Sequence, residues 1–260
     1  MGIPFNRDRR LQSGSLGIPS AQFRETVRAA LGRQSGPPAE PYSVLAQERP
    51  EIELQAQAVR DRIAQESPGL LDQLAETAAR RGWNVQRCEG AEEGLDYVAW
   101  LARSLGVTSV ARSEQAVFDT VPVDAAIAGA GGLCWPAVYD GPASRSEVRK
   151  RLAESGMGIT GADYAIAETG SVVVLPRQGL SRLVSVVPPV HVAIVRPSDI
   201  VGTLDDLFTL RRLEFTQSGG EMGSYLNFIT GPSRTADIEQ TIVVGVHGPR
   251  EVHMALLNKE

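Results

Sequence analysis

The apolar positions change rhythm along the chain. From Glu51 to Ala64 they fall at helical spacing, with Ile52, Ala56, Val59 and Ile63 on one face. Ser67 then reads as the cap of a second helix, with Pro68 at its first position and Leu70, Leu71, Leu74 and Ala78 behind it. Gly82 stops that helix, and Trp83 to Cys88 reads as a strand. Gly94 to Leu105 is again helical, Gly106 ends it, and Val107 to Ala111 is the next strand. Strand, helix and strand in turn predict a parallel sheet with helical crossovers.

The second half favours strands. Ala162 to Ala167 and Ser171 to Leu175 flank Glu168-Thr169-Gly170. Leu183 to Val187 and Val190 to Val195 are β-branched and nearly all apolar, as buried strands are, with Pro188-Pro189 between them. A helix begins at Asp199 or Thr203 and runs through Arg212. Leu226 to Thr230, Ile242 to Val246 and Val252 to Leu257 complete the strands, and Ser218-Gly219-Gly220 marks a loop. Before all of this, residues 1 to about 50 are rich in Gly, Pro, Ser and Arg. They hold one short helical pattern, Ala21 to Leu31, and read as a partly ordered N-terminal extension.

Composition narrows the class. The chain has 260 residues and a net charge of −5, which argues against a general nucleic-acid binder and against an anionic membrane surface as partner. No apolar run reaches the ~20 residues of a spanning helix. Arg7, Arg9 and Arg10 are not followed by an apolar stretch, so no secretory signal is expected and the cytoplasm is. Only Cys88 and Cys134 occur, too few for an iron–sulfur cluster, which needs about four thiolates. A reducing compartment is the simpler reading.

Three loops carry candidate chemistry. Gly231-Pro232-Ser233-Arg234-Thr235 follows a strand, and Ser233 or Thr235 is placed to cap a following helix. Backbone N–H groups, hydroxyls and the Arg234 fork then suit an anion; the plain alternative is a capped turn. Glu168 is a nucleophile or base in a cleft, or the flank of a tight turn. His247 follows an apolar strand and precedes Gly248-Pro249, with Arg250 as a second cation. A strand's carboxyl end is where open α/β sheets bind ligands; the alternative is a histidine that shapes a turn. His191 and His253 fall inside apolar strands and read as structural. Together with His247 and Asp237 they lack zinc-site spacing, so no metal is expected. No G-x-S-x-G occurs. One G-x-G-x-x-G does, Gly156 to Gly161, but it leads from a helix, Ser146 to Glu154, into a strand, the wrong order for a dinucleotide site.

Four runs carry a family resemblance: Gly158 through Asp163 and Glu168 to Gly170; Val187 to His191; Gly231 through Asp237 to Glu239; and Gly245 through His247 to Arg250. Together they resemble the LUD domain and, more closely, the lactate-utilization protein C (LutC/YkgG) family. The resemblance implies an α/β fold of three layers with a mostly parallel sheet, like that of glucosamine-phosphate deaminases, ribose-phosphate isomerases and CoA transferases. It implies a single such domain over 51–260. It also implies oxidation of L-lactate to pyruvate beside iron–sulfur partner proteins, this chain being the subunit without a cluster. In that picture Gly231, Ser233, Arg234, Thr235 and Arg250 hold a small anionic ligand and His247 moves a proton. The alternatives are a stand-alone CoA- or phosphosugar-type transferase or isomerase using Glu168, and a pure assembly protein.

Overall fold

The computed structural model describes residues 20–32, 47–139, 142–175, 182–220, 223, 225–236 and 242–260. The chain divides into two compact units, Met1–Glu48 and Arg49–Glu260. In the first, helix α1 (Ser20–Ala30) is described.

The second unit is built on a six-stranded sheet, every neighbouring pair of which is parallel. Its order is β1 (Asn84–Cys88), β12 (Glu251–Leu257), β7 (Val190–Val195), β4 (Met157–Gly161), β2 (Ser109–Arg112) and β3 (Leu133–Pro136). Alternate residues of β7 show why both faces must be apolar. Val190, Val192 and Ile194 pack with α3 (Ala91–Ser104), α4 (Val117–Thr120) and α5 (Val123–Gly129). Ala193 and Val195 face the other way, onto Leu70, Leu71, Leu74 and Ala78 of α2 (Arg49–Arg81). That second face also receives a smaller mixed sheet ordered β8 (Ile200–Val201), β5 (Tyr164–Ile166), β6 (Ser171–Val174) and β9 (Asn227–Ile229). Ile52, Ala56 and Val59 of α2 cover the small sheet's outer face with Leu207, Leu210 and Leu213 of α7 (Leu204–Gln217). Helix α6 (Pro142–Ala153) precedes β4.

This is the mixed α/β, mostly parallel architecture the sequence implied. Four local expectations change. Ser67-Pro68 does not divide two helices: α2 runs unbroken for 33 residues with Pro68 inside. Proline removes one backbone hydrogen bond, but buried apolar residues on both sides of it, each facing a different core, hold the helix straight through. Residues 183–187 do not form a strand. Arg182–Ser185 is a single 3-10 turn, with Val184 packed under Trp135 and Leu152. Helix α7 starts at Leu204, because Thr203 and Asp206 form a reciprocal cap: the Asp206 N–H donates to the Thr203 hydroxyl and the Thr203 N–H to the Asp206 carboxylate. It extends to Gln217, past Arg212. Finally, no helix follows the Gly231 loop among the described residues; β10 (Arg234–Ala236) does, paired antiparallel with β11 (Ile242–Val244) in a hairpin of its own.

Candidate functional site

The C-terminal turn of α2 organises the loops that the sequence singled out. Gly82, at φ +97°, ends the helix in a paired capping motif: its own N–H reaches Ala79 O and that of Trp83 reaches Ala78 O. Gly231, at φ +102°, presses its backbone on the last carbonyl, and a Cβ there would stand 2.3 Å from Arg81 O. The Arg234 guanidinium donates to the same oxygen at 3.4 Å. A cation at the negative end of a helix dipole is stabilised there. The loop read from sequence as preceding a helix start instead borders a helix end and leads into β10. Gly231→Ala is expected to cost about 2 kcal/mol, from positive φ and collision together. Urea unfolding checks it, and a loss below ~0.5 kcal/mol would contradict the packing.

The Gly245 loop is stitched to the same place. Ser233 N–H donates to Pro249 O at 3.0 Å, and Gly245 N–H donates to Ser233 O at 2.8 Å. Thr235 is half-buried and pairs with Val243 across the hairpin. The Arg250 side chain crosses Gly245, where a Cβ would meet Arg250 Cγ at 1.8 Å, and its backbone N–H reaches Pro189 O. Arg250 also lines a cleft of roughly 480 Å³ with Gly106, Gly156 and Glu251. His247 is exposed beside it in sequence. This loop lies at the amino end of the central strands, not the expected carboxyl end. Residues 245–250 lead into β12 as Pro189 leads into β7, while the strand before His247 is β11 of the separate hairpin.

Glu168 is exposed, in the turn between β5 and β6. Its Oε2 accepts from the Leu204 N–H at 3.1 Å, at the positive end of α7. Its turn nevertheless abuts the others. A Cβ on Gly170 would meet Ala78 N at 2.6 Å, and hydroxyls connect Thr169 to Ser171 (2.8 Å) and Ser171 to Thr230 (2.7 Å), next to Gly231. All three segments thus border the end of α2, and Arg234 and Glu168, both exposed, each make one hydrogen bond to a helix end. Asp237 and Glu239 lie outside the described residues.

The remaining histidines are buried. His191 Nε2 meets the Thr160 hydroxyl at 2.9 Å, and desolvation, with the nearby His253, pushes its pKa down to about 3. Among the described residues His191 Nδ1 and Trp83 Nε1 have no hydrogen-bond partner, and their rings lie 6.0 Å apart. His253 belongs to a relay the sequence reading missed. Desolvation lowers its pKa; its Nε2 lies 2.8 Å from a Glu251 carboxylate oxygen and its Nδ1 2.6 Å from the Tyr97 hydroxyl oxygen. Glu251 and His253 are two apart on one face of a strand, a local signal; Tyr97 is 156 residues away and gives none. No three His, Cys, Asp or Glu side chains gather as a metal site among the described residues. Cys88 and Cys134 are both free thiols.

The LUD domain matches residues 71–257, and the chain belongs to the LUD domain family. It is similar to lactate utilization protein C of Halalkalibacterium halodurans, 43% identical over 101 residues, which are 38% of this chain and 43% of that protein. It is similar to lactate utilization protein C of Bacillus subtilis (strain 168), 37% identical over 120 residues, 44% and 50% of the two chains. The chain spans about half the length of the curated relatives it matches. Among solved structures, a DUF162 family protein from Deinococcus radiodurans aligns at 21% identity and TM-score 0.48, over 74% of this chain and 98% of that one.

Proposed function

We propose that this chain works in lactate utilization, in the cytoplasm, as a component without a cluster beside iron–sulfur partner proteins. The observation that carries the reading is its 37–43% identity to proteins named lactate utilization protein C. Two cysteines in the whole sequence support the division of labour, since a cluster needs about four thiolates. Oxidation of lactate to pyruvate removes two protons and two electrons. One proton comes from the hydroxyl and one from C2; this chain's share is to hold the carboxylate and accept the hydroxyl proton, while the two electrons and the C2 proton pass to the partner proteins.

We assign that share to Arg250, whose guanidinium would pair with the carboxylate, and to exposed His247 as the proton acceptor. Gly231, Ser233 and Thr235 shape the neighbouring loop, and Arg234 fastens it to α2. A stand-alone transferase acting through Glu168 is disfavoured, because that carboxylate already serves the α7 terminus. With the chain and its iron–sulfur partners reconstituted, Arg250→Gln and His247→Gln are each expected to lower kcat/KM for lactate by about 10²-fold. Full activity in the double variant would reject the residues; lactate oxidation equally fast without the chain would reject the role.

A further inference from the structure

Apart from those loops, one wall of the second unit gathers positive charge, with no carboxylate paired to it among the described residues. Arg145 and Arg149 stand four residues apart on α6, hence on one face, where like charges repel. Arg182, on the 3-10 turn, points its charge into the same cavity of roughly 460 Å³. No carboxylate is among the described residues that line it, and none of the three guanidiniums forms an ion pair among the described residues.

Two tyrosines hold the guanidiniums in place. Arg145 lies over the Tyr139 ring at 6.0 Å and Arg182 over the Tyr225 ring at 5.2 Å. Cation–π contacts at this range engage the charge without using the N–H donors, which remain for an oxyanion. A cavity lined by one sign of charge also focuses the field on a ligand of the other sign. A monocarboxylate satisfies one such fork; three forks call for a ligand with two or more negative charges.

We infer that Arg145, Arg149 and Arg182 form a binding site for a small molecule carrying a multiply charged oxyanion group, a phosphate ester or diphosphate before a polycarboxylate. The site is independent of the Arg250 loop and of the lactate reading. Calorimetric titration of the full chain at low salt with pyrophosphate, citrate and lactate tests it. Saturable 1:1 binding of pyrophosphate or citrate, with lactate at least about tenfold weaker, is expected, and the tighter of the two names the oxyanion. Arg149→Gln and Arg182→Gln are each expected to weaken that binding about tenfold, the value of one charge-assisted contact. The unliganded melting temperature of Arg149→Gln should match or exceed wild type, because the variant relieves the α6 repulsion; a drop of several degrees would mark the arginine as structural and overturn the site. So would absence of saturable binding to either polyanion, or variants that bind within twofold of wild type. Binding of an acidic peptide alone would overturn it as well, making the wall a protein contact.

Discussion

Gly158→Ala is expected to lower the free energy of unfolding by about 3 kcal/mol. All five residues of β4 are buried, and β4 lies between β7 and β2 in the middle of the sheet. A Cβ at Gly158 would stand 1.9 Å from Val184 O and 3.1 Å from Pro188 Cγ. The first neighbour is backbone, so no side chain can rotate away. The turn Arg182–Ser185 would have to lift, taking Val184 from its contacts with Trp135, Ala137 and Leu152. Urea or thermal unfolding measures the loss, and a cost below ~1 kcal/mol would show that the turn does not press on β4 as described. The same contact explains the G-x-G-x-x-G pattern. Gly158 admits a carbonyl, and a Cβ on Gly161 would come within 2.6 Å of Val117 Cγ1. These glycines serve close packing.

Acid is expected to weaken the fold well before its carboxylates are protonated. His191 is fully buried and its pKa is pushed down to about 3, against 6.5 for an exposed imidazole. Below pH 6.5 the unfolded chain takes up a proton at this position that the folded chain does not. Stability is therefore fully present above pH 6.5 and declines as pH falls from there toward 3, by about 1.4 kcal/mol per unit, or about 2 kcal/mol by pH 5. Desolvation lowers His253 too, which acts in the same direction. Urea midpoints at pH 7 and pH 5 read the effect, and His191→Gln should flatten most of the difference. Equal midpoints for wild type at the two values would refute the assignment.

How much of this was legible in the sequence depended on the range of the interactions that set each element. β7 and β12 are continuous apolar runs, because both of their faces are buried, and they were read where they occur. Residues 183–187 show the same β-branched character, yet Gly158 admits the Val184 carbonyl and fixes a turn instead; the deciding partner is 26 positions away. The Gly231 loop misled for a related reason. Hydroxyls after Gly-Pro begin helices and hairpins alike, and the partner strand Ile242–Val244 settled the matter. The Gly231, Glu168 and His247 loops were correctly noticed as unusual, but sequence could not show that Arg234 and Glu168 are bound to the ends of α2 and α7. The Tyr97–His253–Glu251 relay and the three-arginine wall leave almost no local trace. Only Arg145 and Arg149, alike and one helical turn apart, hinted that something outside the helix balances them.

The uninterrupted passage of α2 through Pro68 has a mechanical consequence. At about 1.5 Å per residue, its 33 residues make a rod about 50 Å long. One half is sealed to the outer side of the small sheet and the other to the large one, and its tip is clamped by Gly231. Neither sheet can therefore come loose alone without dragging on the other, and a disturbance at the tip is felt along the whole beam.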